Sequence, residues 1–261
     1  MILLLSNDDG IFAEGIQVLA ETLSKDEDIT LYIVAPDHEQ SAAGHAITMH
    51  RPLRAKSVKF RHNTALKGWS VNGTPADCVK LAVESLLPEK PDLVVSGINN
   101  GSNLGADIFY SGTVAAAIEG AILGIPALAV SLTDHKSPEY GYAADFTFRL
   151  IKTCRERNLP RGAVLNVNIP AKEKSEIAGV AVTRLGTRQY RNAFDKRIDP
   201  KGREYFWMAG EVQDVFEDEK DTDVAAIYNS YISITPLHFD LTDFGLLKEL
   251  RGSGWGFSAL F

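Results

Sequence analysis

The residues with the clearest chemical potential come early, in Asn7-Asp8-Asp9-Gly10, directly after the apolar run Ile2 to Ser6. Two adjacent carboxylates at a strand end repel each other and are costly to bury alone. A hard dication removes that cost and takes oxygen ligands. The nearby groups are Asp, Asn and Ser oxygens rather than thiolates or imidazoles, so Mg²⁺ or Mn²⁺ is the matching ion. An Asp-Asp-Gly run also makes turns and helix caps, so the pair needs company. Ser96 to Gly105 offers it: glycines let backbone approach a ligand, and Asn99 and Asn103 can ligate a metal through oxygen or donate to phosphate through nitrogen. The plainer reading is a turn, although long loops in compact domains are usually functional or disordered. Ser111-Gly112-Thr113 opens an alanine-rich helix, where hydroxyls and free amides make an anion site. Ser111 or Thr113 would cap that helix in either case. Pro36 to Thr48 adds Ser41 and His45. His45 has the chemistry for an acid/base step, although a lone loop histidine is more often an ordinary polar residue.

These segments lie far apart in sequence, and the pattern between them says what would gather them. Ile2–Ser6, Thr30–Ala35, Asp92–Ser96, Ala127–Leu132 and Ala163–Ile169 read as buried strands. Between them run amphipathic helices with apolar residues at i, i+3, i+4 and i+7: Ile16, Leu19, Ala20, Leu23; then Val79, Ala82, Val83, Leu86; then Val114, Ala117, Ile118, Ala121, Ile122; then a helix over Tyr142–Arg155. Thr74-Pro75 is a cap followed by proline at the first helical position. Uninterrupted apolar strands alternating with helices predict an α/β fold, a Rossmann-like, mostly parallel doubly wound sheet covered on both faces. Ligands bind such sheets outside the carboxyl ends of the strands, which is where all the segments above fall. After about Ile177 the rhythm changes. Tyr190 to Met208 reads as a projecting β-hairpin around the turn Asp199-Pro200-Lys201-Gly202, Glu217–Asp223 as a charged loop, and Tyr231–Thr235 as a strand. The expected organisation is one continuous domain: a core over 1–176 holding the site, and a β-rich C-terminal extension with the hairpin over 177–261, used for oligomer contacts.

A net charge of −7 argues against a broad nucleic-acid footprint. No run reaches the roughly 18 apolar residues of a membrane span, and the apolar start is too short for a signal peptide, so no membrane partner and a cytoplasmic location are expected. Cys78 and Cys154 form neither a CxxC site nor a disulfide framework. Gly252-Ser253-Gly254-Trp255-Gly256 lacks the strand–helix setting of a dinucleotide fingerprint. GxxxxGK[ST], HExxH and GxSxG are all absent from the sequence, which sets aside P-loop ATPases, zinc proteases and α/β-hydrolases.

Taken together, the segments resemble the SurE family, the stationary-phase survival proteins with 5′-nucleotidase activity. The resemblance is carried by Ser6-Asn7-Asp8-Asp9-Gly10-Ile11, by Ala35-Pro36-Asp37 through Gln40-Ser41-Ala42 to Gly44-His45, and by Asn72-Gly73-Thr74-Pro75-Ala76-Asp77-Cys78. It continues through Ser96-Gly97-Ile98-Asn99 to Gly105, Tyr110-Ser111-Gly112-Thr113-Val114, Leu165-Asn166-Val167-Asn168-Ile169-Pro170 and Ile234-Thr235-Pro236-Leu237. It implies a metal-dependent phosphomonoesterase acting on nucleoside monophosphates, with 3′-nucleotides and short polyphosphate left open as further substrates. It implies one divalent cation per subunit (Mg²⁺ or Mn²⁺, with Ca²⁺ able to replace them in a crystal), held by Asp8, Asp9, Ser41 and Asn99. Asp8 and Asn99 are the expected catalytic residues, and Asn103, Ser111, Gly112 and Thr113 the expected phosphate cradle. Homodimers or homotetramers built through C-terminal elements are also implied. Two rivals stay open. A haloacid-dehalogenase-type phosphatase also places Asp after its first strand, but uses Asp-x-Asp where this chain has adjacent carboxylates followed by Gly10. A non-catalytic nucleotide sensor or scaffold would need the phosphate and base pockets but no dication.

Overall fold

The computed structural model describes residues 1–60, 66–133, 139–191, 194–215, 220–252 and 255. The chain runs β1 (Ile2–Ser6), α1 (Glu14–Leu23), β2 (Thr30–Pro36), β3 (Ala55–Val58), β4 (Lys67–Val71), α2 (Pro75–Leu81), β5 (Leu93–Asn100), α3 (Gly112–Ile122), β6 (Ala127–Leu132), α4 (Tyr140–Glu156) and β7 (Val164–Ile169). It continues through β8 (Gly179–Val182), β9 (Thr187–Arg191), β10 (Phe194–Ile198), β11 (Glu204–Met208), β12 (Glu211–Val215), α5 (Asp223–Tyr228), β13 (Tyr231–Leu237) and α6 (Phe244–Gly252). Nine strands form one sheet in the order β3-β4-β2-β1-β5-β6-β7-β13-β8. From β4 to β7 every pairing is parallel; β3 on β4 and β13 on β7 are antiparallel. This is the expected Rossmann-like architecture.

Period-two alternation explains the two covered faces. Leu3, Leu5, Ile33 and Val95 pack with Ile16 and Leu19 of α1 and Ala143 and Ile151 of α4. Leu4, Val34 and Val94 point the other way, against Val79 of α2 and Val114 and Ala117 of α3. Burying each such Leu, Ile or Val is worth about 1.5–3 kcal/mol. The chain moves from β1 outward to β2 and β4, then returns to place β5 on β1's other side. The switch point therefore opens a crevice between the carboxyl ends of β1 and β5.

The sequence reading differs from the structure at several boundaries. The helix expected to reach Leu86 is α-helical to Leu81 and ends in a π turn, Ala82–Leu86. Strand β5 does not stop at Ser96 but continues to Asn100 through a register shift against β6, a device that re-aims side chains near sites. Strands β8 and β13 complete the main sheet, while β10–β11 and β9–β12 form separate antiparallel pairs at the expected hairpin. Helices α5 and α6 and strand β4 were not read from the sequence. Residues 217–219 of the expected charged loop and most of Gly252–Gly256 lie outside the described residues.

Candidate active site

Asp8 and Asp9 follow β1 directly, and Gly10 turns the chain at φ +101°, a conformation side chains rarely allow, where a Cβ would also press to 3.3 Å from the His38 backbone. Three other segments are fastened to this turn. The Gln40 amide donates to the Asp8 carbonyl at 2.7 Å, which brings the segment that carries Ser41 to the turn. The Asn100 amide donates to Asp9 Oδ2 at 3.2 Å, which seats Asn99 beside it. Thr113 Oγ1 donates to Asp8 Oδ1 at 2.5 Å. The first turn of α3 presses close because its opening residue is glycine. A Cβ on Gly112 would lie 2.7 Å from Asp8 Cβ and 2.9 Å from Oδ2. Ser111 caps the helix, its Oγ accepting from the Val114 amide at 3.1 Å.

The electrostatics follow from this packing. Burial pushes the Asp8 carboxyl above the ordinary range, and hydrogen bonds from Thr113 and from the Asp8, Thr113 and Gly112 amides only partly offset it. Tyr140, at the start of α4, is pushed up to about 12, chiefly by burial and then by the negative charges of Asp9 and Glu14. It places a phenol close to the carboxylate pair that sequence reasoning did not anticipate. Buried polar atoms cluster here too: Asn7 Oδ1 and Asn100 Oδ1 have no hydrogen-bond partner among the described residues. A cation or ordered water would satisfy such atoms.

Of the expected residues, Asp8, Asp9, Ser111, Gly112 and Thr113 meet directly or through neighbours in one crevice. Ser41 is exposed and donates to Glu39 Oε1 at 2.6 Å. Asn99 uses Nδ2 to reach the Gly101 carbonyl at 2.8 Å. Asn103 is engaged elsewhere: its Nδ2 donates to Ser131 Oγ at 2.7 Å, its amide to Asn168 Oδ1 at 2.8 Å, and its carbonyl accepts from Asn166 and Asn168. It ties the loop to the ends of β6 and β7. His45 does not face the carboxylate pair. Its Nε2 lies 2.9 Å from Glu119 Oε2, whose other oxygen accepts from Lys80 Nζ at 2.9 Å.

A further set went unread: Asp107 and Asp223. Asp107 accepts from Arg188 Nη1 at 2.7 Å and from the Tyr190 hydroxyl at 2.6 Å. Asp223 accepts from the Gly105 and Gly186 amides at 2.9 and 2.7 Å. Together they bolt the 3₁₀ turn Gly105–Phe109 to the root of the projecting strands. The signal available in sequence was a charge in an otherwise apolar stretch, but the partners lie from 37 to 118 residues away.

Fold and crevice together define a Rossmann-like α/β protein with an oxygen-rich site at its switch point, where a buried carboxylate faces a helix N-terminus. The chain belongs to the SurE family: the family described as "Survival protein SurE" matches residues 3–192. It is 53% identical over 251 residues to "5'-nucleotidase SurE" of Pelotomaculum thermopropionicum, covering 96% of this chain and 94% of that protein. It is 50% identical over 260 residues to the protein of the same name from Natranaerobius thermophilus, covering 98% and 99%. Among solved structures, "Crystal Structure of Sure Protein from Aquifex aeolicus" is similar at a TM-score of 0.82 and 40% identity, over 96% of this chain and 98% of that one.

Proposed function

We propose that the protein is a divalent-metal-dependent 5′-nucleotidase, with Asp8, Asp9, Ser41 and Asn99 holding the cation and Ser111, Gly112 and Thr113 holding the phosphate. The observation that carries this reading is the seating of buried Asp8 against the first turn of α3, Thr113 to Asp8 at 2.5 Å. A phosphate is drawn to free amides and dipole at a helix start, and a dication is drawn to the carboxylates beside them. The donor set fits a hard ion, since Asp, Ser and Asn offer only oxygen. Among the described residues no cluster of three or more His, Cys, Asp or Glu competes as a metal site. A bound Mg²⁺ or Mn²⁺ supplies a Lewis acid that offsets charge building on the phosphoryl oxygens. The chain's own residues supply position. The Gly112 and Thr113 amides, which also donate to Asp8, and the Ser111 hydroxyl would hold phosphate oxygens, and Asp8 and Asn99 would touch the reacting group, Asp8 orienting the attacking water. Asn103 joins the cradle only if its amide leaves Ser131.

The passage from β1 to α1, complete by Glu14, leaves no room for a cap domain inserted after the first strand. That speaks against the haloacid-dehalogenase alternative. Among the described residues no helix is long and apolar enough to cross a membrane, which suits a cytoplasmic enzyme. Assembly is proposed to run through the projecting strands. The β10–β11 register puts Phe194, Ile198, Phe206 and Met208 on one face, and these are 57–80% exposed. A two-stranded ribbon is marginal alone, and apolar patches of this kind mark interfaces.

Phosphate release from AMP and GMP, with Mn²⁺ or Mg²⁺ and with chelator, tests the activity, and light scattering tests the mass against the 28.5 kDa chain. Metal-dependent release from a dimer or tetramer is expected. Nucleotide binding without turnover on any nucleotide, polyphosphate or aryl phosphate would favour the sensor instead.

A further inference from the structure

The strap Gln40–His45 runs across the crevice. At one end its Gln40 amide holds the Asp8 carbonyl at 2.7 Å. Near the other, the Gly44 amide donates to the Tyr110 carbonyl at 3.0 Å, one residue before the helix cap Ser111. Between them Ala42 sits at φ +57°, a left-handed conformation that costs a non-glycine residue about 1–2 kcal/mol and persists only where the surroundings over-determine it. Ser41, the expected cation ligand from this segment, is itself exposed and bonded only to its near neighbour Glu39 among the described residues. The strap is therefore held by its Gln40 and Gly44 amides and by a side chain other than Ser41.

The strap side chain that reaches a buried partner is that of His45, itself exposed. It reaches Glu119 at 2.9 Å, a residue 3% exposed on α3, the same helix whose first turn faces Asp8. Lys80 of α2 closes the group from the other side at 2.9 Å. Beyond His45 the chain is fixed again, by Thr74 Oγ1 to the Ala46 carbonyl at 2.7 Å and by the Thr48 amide to Asp77 Oδ1 at 2.9 Å. An isolated Glu on a helix otherwise packed from Gly112 to Ala121 against the sheet is expensive unless paired. Its pairing links the strap, α2 and α3.

We propose that His45 is a positioning residue for the cation site: anchored on Glu119, it holds the strap so that Ser41 stays beside Asp8, and it thereby sets the affinity for the divalent ion. His45 touches neither substrate nor metal. This inference rests on the proposed metal site. Groups that orient ligands without touching the metal typically change affinity by roughly 10–100-fold.

The test is Mn²⁺ binding by titration calorimetry and by electron paramagnetic resonance, with no substrate present, on the full-length wild type, His45→Ala and His45→Gln. His45→Ala should bind Mn²⁺ roughly tenfold more weakly, with unchanged circular dichroism and with turnover recovering as Mn²⁺ is raised. Gln keeps an N–H donor at similar reach, so His45→Gln should restore most of the affinity. His45→Ala binding within twofold of wild type overturns the inference. So does equal weakening in both variants, which would mean that an N–H donor to Glu119 does not set the affinity. Wild-type protein that binds no Mn²⁺ removes the metal site itself, a separate result visible before any variant is made.

Discussion

Helix α3 holds two buried carboxylate contacts, one at each part of its length, and they are settled in opposite ways. At its first turn stands Asp8, 4% exposed and surrounded by N–H and O–H donors, with no ion pair among the described residues. Two turns further on is Glu119, 3% exposed, with His45 on one oxygen and Lys80 on the other. Burial wins at Asp8 and lifts its carboxyl above the ordinary range. At Glu119 the bond from His45, supported by Lys80, wins against burial and holds the carboxyl below it. The difference teaches where the protein keeps charge in reserve. Structural Glu119 is supplied from within the chain with a cation, Lys80, and with the His45 ring. Asp8 is left needing positive charge, which a dication can bring.

The largest effect should come from removing the reserve. Asp9→Asn or Asp8→Asn should lower turnover with AMP by more than about a hundredfold, beyond what an outer group costs. Stability separates charge from shape. A carboxyl raised in the folded state favours folding when protonated, so its contribution is lost as pH rises from the ordinary value of 3.8 through the folded one. Metal-free wild type should therefore lose stability over that interval, and Asp8→Asn should lack this part of the slope. Mn²⁺ at a hundred times its Kd should return about 2.7 kcal/mol to the wild type, roughly 2–4 °C of Tm per kcal/mol in a chain of this size. Denaturant melts with and without chelator measure it, and an Asp8→Asn protein stabilised by Mn²⁺ as much as wild type would break the comparison.

Next in size is Gly112→Ala. The added methyl would meet Asp8 at 2.7–2.9 Å, so the start of α3 or the β1 turn must move, at about 1–3 kcal/mol. Because the displaced atoms are those proposed to hold the phosphate and touch the reacting group, turnover should fall on the order of tenfold to a hundredfold at temperatures where the variant is still folded, although its melting point drops by roughly 2–4 °C per kcal/mol. Steady-state kinetics beside a thermal melt distinguish this from general destabilisation. Activity within twofold of wild type would show that α3 need not lie so close to Asp8.

How much of this was readable in the sequence depends on distance along the chain. The strands show themselves as short apolar runs, and the doubly wound rule puts Asp8, Asn99 and Ser111 at one rim from sequence alone. Thr74-Pro75 announced α2 by local chemistry, and the capping box there is present. Glu119 was legible only as an oddity, one charge inside the apolar run Val114–Ile122. Its partner His45 lies seventy-four residues away, and no spacing rule connects them. Tyr140 was invisible for the same reason: its nearness to Asp9 follows from how α4 packs over α1, not from a motif. Asn103 shows the converse. Its type suggested phosphate, whereas the ends of β6 and β7 supply Ser131 and Asn168 to occupy it.

The smallest effects belong to the settled end of α3, and they carry the sharpest sign. Glu119 is held below its ordinary value of 4.5. Its stabilisation is therefore complete above that pH and is lost as pH falls through the lower folded value. Glu119→Gln should cost about 1–2 kcal/mol near neutrality, the range for hydrogen bonds to a charged group, discounted because Lys80 is half exposed. The gap between the two denaturation curves should narrow below pH 4.5. Lys80→Met removes only the outer partner and should cost less than about 1 kcal/mol, leaving His45 to hold the strap and Mn²⁺ affinity within twofold of wild type. If Lys80→Met weakens Mn²⁺ as much as His45→Ala does, the whole charge group tunes the site through its field, and the division of α3 into a settled end and a working end no longer holds.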